Sequence, residues 1–148
     1  MKYGILDPKA RTLTYAEAKD AHAAYRLAHL PMGKIDHGVL MRLPHRGGIG
    51  YAVYEFGFYV PAAQQSYCSI TGTGRLIAGT ALLYEFSEGG RTIDLSEDWR
   101  IEPMWFSGQE AVEEAIVAGI VPRPEVKLNN DVIWAWPQPV PPDLADLV

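Results

Sequence analysis

Two copies of one tripeptide hold the acids best placed to do chemistry. "VYEFG" at Val53–Gly57 and "LYEFS" at Leu83–Ser87 repeat Tyr-Glu-Phe within apolar surroundings. If the two segments pair as strands, Glu55 and Glu85 face one another. Two carboxylates on one sheet face are the pair that acid–base and glycosidase chemistry uses. Tyr51 and Tyr59 alternate onto the face of Glu55, so Tyr51, Glu55, Tyr59 and Glu85 form one candidate ligand site. Among those neighbours Glu55 would sit half-buried, with a raised pKa. The pattern supplies no third group to complete a catalytic set. Glutamates also serve simply to keep an outer sheet face wet.

The second candidate is the glycine pair in "YCSITGTGRLIAGTALLYEF", Tyr67–Phe86. Gly72 and Gly74 follow a short apolar run, and Asp94 lies twenty residues past Gly74, where a ribose-binding acid belongs in a dinucleotide fold. The third fingerprint position, however, is Ile77, whose branched side chain would hold a helix off its strand. Leu76–Phe86 suits a buried strand as well as a helix. The rest of the chain lacks the alternating strand–helix units of a doubly wound sheet. The residues predict a hairpin through "TGTG", and no cofactor.

Other chemistries have weaker support. His22 and His29 share a helical face but stand ~10.5 Å apart at 1.5 Å per residue, too far for one ion. His37 and His45 flank a strand, so no metal is expected. Cys68, the only cysteine, reads as a small core residue rather than a nucleophile. No dense basic stripe or reader motif supports direct nucleic-acid binding.

Charge is distributed unevenly. Residues 1–50 carry eight Lys/Arg against four Asp/Glu, and residues 51–148 carry five against fourteen. The densest stretch, Glu85–Glu114, has nine acids against Arg91 and Arg100. If its elements adjoin, Glu88, Asp94, Glu97, Asp98, Glu102, Glu110, Glu113 and Glu114 form an acidic surface, with Trp99 and Trp105 as anchors. Such a field steers a protein toward a basic partner, for example a nucleic-acid-binding protein.

The elements that must position these residues read as follows. "KYGILDPKARTLTY" is a hairpin turning at Asp7-Pro8. Thr14 with Glu17 resembles a capping box opening a helix from about 15 to 29, closed by Pro31 and Gly33. "HGVLMRL", then "PHRGG", then "IGYAVYEFGFYV" predict strand, turn and a long strand. "SEGG" is a turn, "RTIDL" a short strand, and "WRIEPMWF" a strand weakened by Pro103. A second helix is expected over about 108–118, with Ser107 and Glu110 as capping box. "EVKLNNDVIWAW" predicts a hairpin, and a proline-rich tail follows from about 137. The sum is one α+β domain over 1–148, with a mostly antiparallel sheet of short strands and two α-helices.

The length of 148 residues and the 48% hydrophobic content suit one domain with a real core. The lone cysteine, the absence of a signal-type apolar core, and the lack of a membrane-length run predict a soluble, cytoplasmic protein. The leading functional expectation is a non-enzymatic inhibitor or accessory protein, of the kind mobile elements encode. It would dock its acidic surface on a basic, nucleic-acid-processing partner. The alternative is a small-molecule binder or small enzyme using Glu55, Glu85 and tyrosines. A homo-oligomer formed through strand edges and the Trp134/Trp136 pair is a third reading.

Overall fold

Period-2 alternation and turn chemistry organise most of the chain. The computed structural model describes residues 1–60, 64–70, 73, 76–117, 126–128 and 131–133. β1 (Lys2–Asp7) and β2 (Thr12–Glu17) make the first hairpin. Asp7 holds its turn, Oδ1 accepting from the Lys9 and Ala10 N–H groups at 3.1 and 3.2 Å, as short acidic side chains do in turns.

The expected helix from about 15 to 29 is largely replaced. Thr14 and Glu17 are strand residues, not a capping box, because Thr12–Glu17 pairs along the full length of β1. Tertiary pairing overrides the helical propensity of the stretch. The helix α1 covers only Ala21–Leu27, and its cap is Asp20, whose Oδ1 accepts from the Ala23 N–H at 2.9 Å. Its end falls where Pro31 and Gly33 predicted. His29 turns left-handed (φ 56°), the Leu30 N–H donates to Tyr25 O at 2.9 Å, and the His29 N–H donates to Arg26 O at 3.1 Å. That is the Schellman closure, with histidine where glycine is usual.

β3 (Ile35–Leu43) and β4 (Gly47–Tyr54) pair antiparallel, with a register shift between Val39 and Met41. The expected long strand to Val60 stops at Tyr54, and a 3₁₀-helix follows at Gly57–Tyr59. β5 (Ser66–Ile70) pairs with β6 (Leu76–Ala78), Cys68 opposite Ile77. Leu76–Phe86 is therefore not a fingerprint helix: its residues fall in β6 and in β7 (Ala81–Ser87). Gly72 and Gly74 lie outside the described residues. β8 (Thr92–Ile93) returns along β7 after the "SEGG" turn. β9 (Pro103–Ser107) begins on its proline and lies at a sheet edge, a position that tolerates the missing N–H. α2 covers Gly108–Val117, and β10 (Val126–Leu128) pairs with β11 (Asp131–Ile133). Trp134, Trp136 and the tail from 137 lie outside the described residues.

The result is an α+β fold whose sheet pairings are antiparallel throughout the described residues. The central sheet runs β2-β1-β7-β4-β3, with β8 also on β7, and the second runs β6-β5-β9. Leu82 and Leu83, adjacent on β7, point to opposite sides and define two cores. Leu83 packs with Leu6, Ile49, Cys68, Ile70 and Trp99, between the two sheets. Leu82 packs with Tyr3, Ala52, Ala24 and Ala28, under α1. The central sheet is thus the middle of three layers, a standard way to bury both faces. Among the described residues, no helix is long and apolar enough to cross a membrane.

Candidate functional site

The tripeptide echo does not make a carboxylate pair. β4 and β7 pair, but Glu85 lies opposite Ile49, and Glu55 follows the end of β4. Glu55 is exposed, its N–H donating to Lys34 O at 3.0 Å. Tyr51 rests on β3, where a Cβ at Gly38 would come 2.5 Å from its ring, on the side away from β7. Tyr59 belongs to the 3₁₀-helix, edge-on to Phe56. The set Tyr51, Glu55, Tyr59 and Glu85 is not brought together as one site.

Glu85 has a structural task. It is 4% exposed, and its Oε1 accepts two hydrogen bonds, from the Ser96 N–H at 2.9 Å and from Trp99 Nε1–H at 2.7 Å. Indole nitrogen can only donate, so a buried carboxylate suits it. These bonds tie the 94–99 loop to β7 and seat Trp99 in the core. Trp99, 7% exposed, is therefore a core residue and not a surface anchor. The Arg46 guanidinium lies 4.1 Å from the centre of its ring and bonds Asp98 at 2.7 Å. Trp105 is partly buried against the same core.

Three exposed acids of the dense stretch pair with Lys or Arg, and two more have other partners. Lys2 Nζ is 3.2 Å from Glu97, Arg46 is 2.7 Å from Asp98, and Arg100 is 2.6 Å from Glu102. His45 is 3.7 Å from Glu88, and Asp94 accepts from the Lys2 N–H at 2.8 Å. Hydrogen bonds from Ser96 and then Arg46 hold the Asp98 carboxyl below its usual range. Glu113 and Glu114 are exposed on α2; the side chain of Glu110 lies outside the described residues.

The face under α1 carries a cavity of about 360 Å³. Its floor is Leu82 and Tyr3, both buried. Half-buried Tyr25 from α1 and Tyr84 from β7 form walls, with His37 of β3 between them. The rings stand edge to face, Tyr25 to His37 and His37 to Tyr84, each at 6.1 Å, an arrangement favoured by ring quadrupoles. Tyr25 Oη and His37 Nε2 are 3.4 Å apart. Tyr84 is seated by a glycine window: a Cβ at Gly50, its partner in register on β4, would lie 2.4 Å from the ring. Lys19 and Asp20 line the exposed rim. Burial raises the pKa of Tyr3, Tyr25 and Tyr84, and neighbouring phenols add to it at Tyr3 and Tyr84. All three hydroxyls therefore stay neutral near pH 7, able both to donate and to accept.

No protein-family model, curated protein or solved structure matches this chain. What the protein does must be argued from its own side chains.

Cys68 lies in the core between the sheets, where burial pushes its thiol up to about 12, leaving it protonated and unreactive near pH 7. Among the described residues, no three His, Cys, Asp or Glu side chains are grouped to hold a metal ion. The cavity residues Tyr3, Tyr25, His37 and Tyr84 did not emerge from sequence reasoning. One signal was available. Tyr84 shares the outward register of Leu82, and a tyrosine opposite Gly50 has room to lie across its neighbour.

Proposed function

We propose that this protein binds a small planar molecule in the cavity between α1 and the central sheet. The observation that carries the reading is the edge-to-face series of rings, Tyr25 to His37 and His37 to Tyr84, lining a space of about 360 Å³. That volume lies within the ordinary range for small-ligand sites, ~300–1,000 Å³. Aromatic walls with few polar groups bind flat rings by offset or edge contact, and neutral phenols orient them. Among the described residues, the lining has no activated nucleophile with its base, the minimum for covalent catalysis. Binding is the chemistry these residues support.

The test is NMR titration with indole and quinoline. Shifts are expected at the Tyr25, His37 and Tyr84 rings. Gly50→Ala should weaken binding by roughly tenfold, because Tyr84 must move about 1 Å to reach ordinary contact with the new methyl. The reading is abandoned if neither ring binds below ~10 mM, or if Gly50→Ala leaves the affinity unchanged.

A second reading is the docking of exposed acids on a basic partner, such as a nucleic-acid-processing protein. It is favoured by the exposure of Glu88, Asp94, Glu97, Asp98, Glu102, Glu113 and Glu114. It ranks second because the cationic neighbours of Glu97, Asp98 and Glu102 weaken the field at short range, as paired surface charges do. Retention on polylysine beads tests it. Binding should fall steeply between about 50 and 200 mM salt, as screening predicts, and should be lost on reversing Glu88, Glu113 and Glu114. Salt-insensitive retention rules the mechanism out.

A further inference from the structure

The cavity's charges are not balanced in what they leave available. Lys19 and Asp20 stand side by side on the rim. Asp20 is engaged: its Oδ1 caps α1 through the Ala23 N–H at 2.9 Å, and this bond, ahead of all other causes, holds its carboxyl below its usual range. Lys19 has no ion pair within 4.0 Å and no side-chain hydrogen bond among the described residues. The site therefore offers a ligand the Lys19 ammonium, which acts on Asp20 only at a distance beyond 4.0 Å, beside rings that stay uncharged. A cationic ligand would meet Lys19 as a like charge and could reach Asp20 only through the oxygen that the cap leaves free.

Resting on the binding proposed above, we propose that the ligand is a planar aromatic carboxylate, its ring among Tyr25, His37 and Tyr84 and its carboxylate at the Lys19 ammonium. The volume of about 360 Å³ admits one or two fused rings within the range of small-ligand sites. The phenol hydroxyls of Tyr25 and Tyr84 are donors suited to an anionic oxygen, and a hydrogen bond to a charged acceptor is the stronger kind. Selectivity comes from the charge at the rim, and affinity from the rings beneath it.

Three probes of one shape separate these contributions: 2-naphthoate, 2-naphthamide and 2-(aminomethyl)naphthalene, titrated calorimetrically at pH 7.5 and low salt. The carboxylate should bind about tenfold more tightly than the amide, and the amine more weakly than either. Lys19→Gln should erase the preference for carboxylate while leaving the amide's affinity unchanged. Lys19 is exposed, so the variant keeps the fold, checked by an unchanged thermal midpoint. Equal binding of all three probes, tightest binding of the amine, or a preference that survives Lys19→Gln would overturn the carboxylate assignment and leave the planar-ligand reading standing. Binding of none of them up to ~5 mM would overturn both.

Discussion

Glu85→Ala lowers the free energy of unfolding by about 3–5 kcal/mol, a large share of the ~5–15 kcal/mol that holds a typical domain together. The substitution removes the acceptor of both the Ser96 N–H and Trp99 Nε1–H. The Trp99 donor is left buried and the Ser96 donor part-buried, and an unsatisfied buried donor costs about 1–3 kcal/mol. It also leaves a void beside Ile49 and Ile93, the cross-strand neighbours of Glu85, and core voids add their own cost. Glu85→Gln keeps one acceptor oxygen in place but puts a buried N–H2 group where Oε2 stood, and costs less, about 1–2 kcal/mol. Urea unfolding measures both, and Trp99 fluorescence reports whether the indole leaves the core. Since Glu85 and Trp99 are in direct contact, Trp99→Phe combined with Glu85→Ala should cost less than the two changes added separately. A loss under about 1 kcal/mol for Glu85→Ala would show that the loop is held by other contacts.

The second large effect is expected at Gly47. Its φ is 109°, and a Cβ there would lie 2.0 Å from the Phe86 carbonyl oxygen and 2.7 Å from the Ser87 carbonyl carbon. These are backbone atoms of the neighbouring strand, so no rotamer change relieves the clash. The β4–β7 pairing must part at Gly47–Ser87, or the chain must distort. Gly47→Ala is expected to cost about 2–4 kcal/mol. Gly90 is the control. Its φ is 84°, but nothing lies within 4 Å of where a Cβ would sit, so Gly90→Ala carries only the backbone penalty, about 1 kcal/mol. Thermal or urea unfolding of the two variants separates steric from conformational cost. Equal effects would mean that the close approach at Gly47 is not maintained.

The hairpins were legible because their signals are local. Asp7-Pro8, "PHRGG" and "SEGG" each mark a turn that the fold uses, and the flanking alternation sets which residues face inward. The start of α1 was misread for an equally definite reason. Thr14 and Glu17 carry capping chemistry, but Thr12–Glu17 finds a complete partner in β1. The hairpin was expected, but how far its second arm runs is set by pairing as far back as Lys2, which a capping pattern of four residues does not contain. The candidate sites failed at the same level. The condition that the two "YEF" segments' strands pair is met by β4 and β7, but β4 ends at Tyr54 and Ile49 lies opposite Glu85, which separates the two glutamates of the repeat.

Composition, turn residues and hydrophobic alternation by themselves determined that this protein is an α+β domain of short antiparallel strands with glycines at its turns. They act over a few residues, and the backbone answers them locally. Only the tertiary structure decided that Glu85 is buried beneath Trp99, that several exposed acids have cationic neighbours, and that Tyr3, Tyr25, His37 and Tyr84 gather at one cavity. Those outcomes depend on which strands lie side by side and in what register, and that is a property of the whole chain's burial rather than of any segment within it.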